Sequence, residues 1–275
     1  MNTHFIISLV GAVALGAAAA AAWLAVGRRV AAASLVARAA AVLGVLANGI
    51  YVGWAVIDHG MVETFRQGEE AMLLLASLIA IVGIGTHVSR TLRGLDGFLF
   101  LLAALVDLAA LAMSTPATGT PTFHRWYISH GLSFAVSGAC FMAGGMAAVA
   151  YLIVHRFLRR KTLTLMGRVP SLEALDRFMR WMLAIGFPIF TYGILTGICG
   201  IAHRKDIERT AWYLDPTVVL VVLAWLVYAW LCGSLVLRRH VRGRRAAALT
   251  ACGMGLVAMA YLFMEVLSPI HRLRV

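Results

Sequence analysis

Eight apolar runs, each long enough to cross a lipid bilayer, dominate this chain of 275 residues. A helix needs about 20 apolar residues to span the hydrocarbon core of a bilayer. The runs lie at 5–27, 34–57, 70–89, 96–115, 127–154, 178–202, 215–236 and 247–269. Backbone polar groups in lipid must be satisfied within the protein, which favours helices. The sequence therefore predicts an all-α polytopic membrane protein, with residues 1–275 forming a single integral membrane domain.

Basic residues divide unevenly between the connections of these spans. The first, third, fifth and seventh connections, with their flanks, hold 17 of the 24 Lys and Arg residues. Cytoplasmic loops carry an excess of such residues, so both termini are predicted to lie on the outer, periplasmic or extracellular, side. The net charge of +12 is then explained by topology in a bacterial cytoplasmic (inner) membrane, and no nucleic-acid partner is predicted. Because Arg28 and Arg29 follow the first run, a retained helix is favoured over a cleaved signal peptide.

Local motifs add detail to the sixth span and its approach. The stretch VPSLEALDRFMRW contains the helix-start residues Pro170 and Ser171, and it predicts a short interfacial helix before the span. Within the span, Gly193 and Gly197 have the GxxxG spacing that permits close contact between helices. His87, near the inner end of the third span, is predicted to lie at the membrane interface.

Three features that are distant in sequence share the predicted outer face. They are His130 in the stretch HRWYISHGLSF, the group Trp212, Tyr213 and Asp215 before the seventh span, and His271 after the eighth. A pair of neutral imidazoles suits an iron or copper centre, and flat aromatic rings suit a planar ligand such as haem. The alternative is ordinary, since Trp and Tyr form interfacial belts and an interfacial His is commonly just solvated. His124 is a rival ligand.

Longer stretches resemble a known family. PSLEALDRFMRWMLAIGFPIFTYGILTG resembles the segment that enters the sixth span in the cytochrome c assembly family of membrane haem-handling proteins. LAWLVYAW, followed by RGRRAAAL, resembles the family's seventh span and the basic turn after it. This family includes the CcsA/ResC, CcmC and HemX-like branches. The resemblance is good over 123–275 and weak over 1–115, as in a divergent member.

The resemblance implies a haem site at the outer face. In the family, two outer histidines ligate haem iron beside a Trp-rich loop, and His130 and His271 match them as axial ligands. Trp212, Tyr213 and Asp215 fall in that loop, where the family pattern W-G-x-x-W-x-W-D-P-K-E is reduced to one Trp and the Asp-Pro pair. The implied function is transient holding of haem b for delivery, with a partner membrane protein of a cytochrome c assembly system, to apocytochrome c. Any ligation activity would belong to the complex.

Two other functions stay open. The CcsA type has two histidines within its spans, and Asn48 and Gly233 stand at those positions here. This departure resembles CcmC or HemX-like relatives, so one alternative is a HemX-like accessory or regulatory membrane protein of haem metabolism without haem transfer. The other is an unrelated permease that uses the intramembrane carboxyl groups of Asp107 and Glu265 as proton or ion sites. The chain has no phosphate loop, nucleophile elbow or H-E-x-x-H motif, so no hydrolase or transferase is predicted.

Overall fold

Helices make up all the regular structure that the computed structural model describes, which covers residues 3–28, 31–60, 64, 68–89, 91–112, 125–160, 170–202, 212–236 and 243–266. The main elements are α1 (Thr3–Arg28), α2 (Ala31–His59), α3 (Gly68–Val88), α4 (Asp96–Ala112), α5 (Arg125–Arg159), α6 (Leu172–Ala202), a 3-10 helix (Trp212–Leu214), α7 (Pro216–Val236) and α8 (Arg244–Val266). Within these ranges there is no strand. The all-α prediction is confirmed.

Seven of these eight α-helices are long and apolar enough to cross a membrane. The exception is α4, which has 17 described residues. Its predicted span continues to residue 115, and residues 113–115 lie outside the described ranges. Large apolar side chains point outward from several helices, such as Ile50 at 63 % and Trp230 at 65 % exposure. Such a surface suits lipid rather than water, and the protein is a multi-pass membrane protein.

The start of α6 differs from its prediction. Instead of a short interfacial helix followed by a span, one continuous helix of 31 residues begins at Leu172. Ser171 caps it, since its Oγ accepts a hydrogen bond from the Ala174 amide at 3.2 Å, and Arg177 bonds to Glu173 at 2.8 Å. A helix of this length measures about 46 Å, which exceeds the core of a bilayer of about 30 Å. The predicted interfacial helix is therefore the projecting first part of α6.

The helices form two groups. In the first group, α1 packs against α2 and α4, and α3 packs against α2 and α4. In the second, α5 packs against α6 and α8, and α7 packs against α8 and α6, while α3 joins the groups by packing on α5. The chain direction alternates, so the start of α5 lies beside the end of α8. Tyr261 of α8 shows this, because its hydroxyl donates a hydrogen bond to the Phe134 carbonyl of α5 at 2.7 Å.

Aromatic rings form the centre of the second group. Phe134 lies 5.3 Å from Phe190, and Phe190 lies 5.2 Å from Phe141 in an edge-to-face arrangement. Phe141 stacks on Tyr228 with 3.8 Å between ring centroids and 11° between planes. These contacts connect α5, α6 and α7 in a single run of rings. The run starts one helical turn from His130 and provides a packed base beneath it.

A buried histidine joins α3 to α4 at the turn between them. His87 is 3 % exposed, and its Nδ1 donates to the carboxylate Oδ2 of Asp96. Asp96 also accepts a hydrogen bond from the Gly94 amide at 2.8 Å, and Ser34 of α2 lies 3.4 Å from His87 Nε2. His87 is thus enclosed by protein, because the short turn brings α4 over the end of α3, and its depth at the membrane interface stays a prediction.

Candidate functional site

His130 lies in the second turn of α5 and is directed at α6. Its Nδ1 is 2.9 Å from the Gly193 carbonyl oxygen. A carbonyl oxygen only accepts hydrogen bonds, so Nδ1 must carry the proton and donate. The neutral ring then has its lone pair on Nε2. This is the tautomer in which an imidazole can bind a metal ion through Nε2.

The GxxxG motif of α6 provides the space for this ring. A Cβ atom at Gly197 would lie 2.7 Å from His130 Cε1 and 2.8 Å from Nδ1. A Cβ atom at Gly193 would lie 2.8 Å from the ring of Phe134. Both distances are shorter than real side chains tolerate, so α5 and α6 approach this closely only because both positions are glycine. The prediction of close helix contact at Gly193 and Gly197 is confirmed.

Two further contacts hold His130 in place. The Phe134 ring lies 4.6 Å from the imidazole, tilted by 42°. On the other side, the Gly193 carbonyl that accepts from His130 also accepts from the Thr196 hydroxyl at 2.9 Å. Sequence patterns did not identify this carbonyl as the partner of His130, because spacing along one helix does not identify its neighbour on another. The arrangement restricts the orientation of the imidazole.

Asp215 has a structural task that the sequence patterns also left unassigned. It is 4 % exposed, and its Oδ1 accepts a hydrogen bond from the Thr217 amide at 2.8 Å. Pro216 is the first residue of α7. Aspartate at the N-cap followed by proline at the first helical position is a common way to begin a helix. This capping preference could have identified Asp215 as a helix cap from the sequence. It also explains the Asp-Pro pair without any haem contact.

The residues before this cap form an exposed turn. Trp212 begins the 3-10 helix, and Tyr213 and Leu214 are 61 % and 67 % exposed. The turn packs against the start of α7, at the same end of the second group as His130. An exposed Tyr ring at this end is available for contact with a ligand or another protein.

Less of the structure is described around the other predicted site residues. His271 and the rival His124 lie outside the described residues, and Glu265 belongs to the last turn of α8. In the part of the chain that is described, no three His, Cys, Asp or Glu residues come together as a metal site. His130 is thus the predicted iron ligand whose surroundings are known.

Comparison with known proteins identifies the family. The sequence profile described as "Cytochrome C assembly protein" matches residues 4–271. A protein of Synechococcus elongatus named "Cytochrome c biogenesis protein CcsA" is 26 % identical over 208 residues, which cover 74 % of this chain and 60 % of the relative. Proteins of the same name from Microcystis aeruginosa and Thermosynechococcus vestitus are 27 % identical over 182 residues and 31 % identical over 100 residues. These cover 66 % and 36 % of this chain, and 52 % and 30 % of the relatives.

These relatives also show the limits of the match. The chain spans 60 % or less of the length of each of the three. They bear the CcsA name, so they do not support the HemX-like branch that the missing in-span histidines favoured. No solved structure matches the chain. Because the profile covers nearly all of the sequence, the chain belongs to the cytochrome c assembly protein family.

Proposed function

We propose that this protein handles haem for cytochrome c biogenesis, holding it at the predicted outer face of a bacterial cytoplasmic membrane. Membership of the cytochrome c assembly family and the names of the CcsA relatives support this role. Haem is the cargo of the site rather than a resident cofactor, and transient binding of haem b suffices. The multi-pass helix groups supply the membrane anchor and the rigid base of the site.

The observation that carries the proposal is the hydrogen bond from His130 Nδ1 to the Gly193 carbonyl. Histidines that bind metals commonly donate the other ring N–H to a carbonyl or carboxylate, which fixes the tautomer and the orientation. His130 has this partner, and its Nε2 would be the first axial ligand of the haem iron. A histidine that is merely solvated needs no such partner.

His271 would be the second axial ligand. The end of α8 lies beside the start of α5, as the 2.7 Å bond between Tyr261 and the Phe134 carbonyl shows. From Val266, the last residue of α8, five residues of chain reach at most about 18 Å. This reach supports a pairing of His271 with His130 across the same end of the second helix group.

The turn before α7 would contact the haem edge. Tyr213 supplies an exposed aromatic ring there, Trp212 precedes it in the 3-10 helix, and Asp215 caps the start of α7. A partner membrane protein of an assembly system would present apocytochrome c, and this chain would hold and orient haem without catalysing bond formation itself.

Absorption spectra of the purified protein in detergent, supplied with haem and recorded oxidised and reduced, test the proposal. We expect a Soret band with sharp reduced bands in the wild type. His130→Ala and His271→Ala should each lose or shift these bands. His155→Ala is the matched control, because His155 lies on the same helix at its opposite end, beside Tyr151. Its spectrum should be unchanged.

Other outcomes of this experiment contradict the proposal in distinct ways. Haem that survives both substitutions unchanged would show that the ligand assignment is wrong, and loss in His124→Ala but not His271→Ala would assign the second ligand to His124. A wild type that takes up no haem would instead favour the accessory protein without haem transfer. One observation favours that second function, since the cap formed by Asp215 gives the loop a structural reason to be kept.

A further inference from the structure

A carboxyl group lies buried in the first helix group, whereas His130 belongs to the second. Asp107 of α4 is 0 % exposed. Asn48 of α2, also 0 % exposed, places its Nδ2 2.9 and 3.1 Å from the two carboxyl oxygens. A Cβ atom at Gly11 of α1 would collide with Asn48 Oδ1 and lie 3.2 Å from Asp107 Oδ2. Three helices therefore enclose this pair.

The hydrogen bonds of the pair do not balance for an ionised carboxylate. A carboxylate has about four lone-pair sites, and here one amide nitrogen is shared between both oxygens. Asn48 Oδ1 is buried without a hydrogen-bond partner among the described residues, and so is Ser8 Oγ of α1. Ser8 precedes Gly11 by one turn on the same face of α1. A charge held this way in an apolar interior is costly, and a membrane-buried acid is commonly a functional site.

We propose that Asp107 is a buried proton-binding site, with Asn48 as the amide that recognises the protonated carboxyl group. One proton joins one carboxylate oxygen, and no other bond changes. Rotation of the Asn48 amide by half a turn exchanges its oxygen and nitrogen, which have nearly the same shape. The amide oxygen then accepts the carboxyl O–H. Protonation thus removes the charge and satisfies the acceptor that otherwise has no partner within the described part of the chain.

Ionisable side chains lie along the first helix group, from this site toward the end that is predicted to be outer. Tyr51 follows Asn48 by three residues on α2, which places both on one face of the helix. Tyr51 donates a hydrogen bond to Glu69 and also lies in the electrostatic range of Glu70, both at the start of α3. The α1 residue that approaches the pair, Gly11, is uncharged, and so is Ser8 one turn before it. Protons would therefore enter through the α3 carboxylates and Tyr51.

Within the described part of the chain, one more ionisable group packs near this region. Tyr261 of α8 packs beside Tyr51 and Val106 in the same apolar cluster, and its hydroxyl is bonded to the Phe134 carbonyl. Its hydroxyl proton is therefore already donated to that carbonyl oxygen. Among the described residues, Asn48 is the side chain that hydrogen-bonds to Asp107. A proton remains the simplest cation that fits between Asp107 and Asn48.

Infrared spectra of the full chain in lipid vesicles test the proposal. The wild type should show the carbonyl stretch of a protonated carboxyl group at neutral pH, and the band should shift in D2O and fade as pH rises. Asp107→Asn should lack it. Asp58→Asn, the same change at an exposed acid at the end of α2, is the matched control and should retain the band. If Asp107→Asn does not fold, Asn48→Leu provides the test, since loss of the acceptor should shift the band.

Two results would overturn the proton-binding site, and a third would overturn only its route. The first is a wild type whose spectrum at every pH contains no band that depends on Asp107 or Asn48, which would mean that the acid stays ionised. The second is a band that disappears when choline is replaced by Na⁺ at constant pH, which would make the pair a metal-ion site. The third is D2O exchange that is equally fast in wild type and Tyr51→Phe, which would contradict the route while leaving the site.

Discussion

Single atoms decide the geometry around His130, and Gly197→Ala is the smallest change that tests it. The new Cβ would lie within 2.8 Å of the imidazole, so the ring must leave its bond to Gly193 or α5 must move away. Such overpacking costs about 1–3 kcal/mol, and we expect haem affinity to fall about tenfold or more. Haem titration followed by absorbance measures this.

A matched glycine controls for the general effect of a helical Ala. A Cβ atom added to Gly233 of α7 would meet no atom of the described residues within 4 Å, so Gly233→Ala fills open space. Alanine favours a helix over glycine by about 1 kcal/mol. We expect Gly233→Ala to bind haem as the wild type does and to be at least as stable. Equal haem binding in both variants would mean that the position of His130 does not limit the site.

Asp215 can be tested by comparing two substitutions, because asparagine caps a helix about as well as aspartate and alanine does not. If Asp215 acts through its cap, Asp215→Ala should lower the free energy of unfolding by about 1 kcal/mol, and Asp215→Asn should be nearly neutral. Thermal unfolding of both variants measures this. If the carboxylate charge also contributes to haem binding, Asp215→Asn should lower haem affinity without loss of stability, which spectra on the same samples would show.

At this scale, part of the site could be predicted from the sequence. Hydropathy and the family resemblance selected His130, and glycine spacing predicted a close contact at Gly193 and Gly197. The sequence did not show that these two predictions describe one contact, since His130 and Gly193 are 63 residues apart. Periodicity indicates which face of a helix is buried but not which helix covers it. Asn48 illustrates the same limit, because its partner Asp107 is 59 residues away.

Between elements, His87 links α2, α3 and α4, and His87→Ala should loosen the first helix group. The substitution removes the hydrogen bond to Asp96, whose carboxylate then keeps only the Gly94 amide among its described partners. Leaving a buried acceptor unsatisfied costs about 1–3 kcal/mol. Unfolding in SDS, followed by circular dichroism, measures the loss of stability.

His155→Ala on α5 is the control for His87→Ala. The half-buried ring of His155 stacks on Tyr151, and its removal should lower the stability far less. Equal losses would contradict a special role for His87.

The bounds of the elements show why hydropathy predicts helices well but not their ends. The seventh predicted span, 215–236, differs from α7 (Pro216–Val236) by one residue, because the Asp-Pro cap coincides with the edge of the apolar run. The sixth, 178–202, misses the start of α6 by six residues. Hydropathy records where lipid ends, whereas a helix ends at its cap. Polar residues with favourable pairs, such as Glu173 and Arg177, continue α6 beyond the membrane.

Across the whole molecule, orientation remains a prediction from loop charge, and it places the haem site and the proton route on the same side. Tyr213 and Arg177 lie at opposite ends of the second helix group, and both are exposed, with 61 % exposure for Tyr213 and 69 % for the Arg177 side chain. Each can be changed to cysteine in a chain whose four free cysteines have been replaced. A membrane-impermeant maleimide then reports the side on which each position lies.

We expect Tyr213→Cys to react in intact cells and Arg177→Cys to react only after the membrane is opened. The physical reason is the excess of Lys and Arg in the odd connections, which are retained on the cytoplasmic side. The two variants control for each other, since each should react fully in detergent. The reverse pattern would place His130 and the turn before α7 in the cytoplasm. Haem delivery to an outer partner would then fail even if haem binding by His130 were demonstrated, whereas proton binding by Asp107 would stand with its route opening inward.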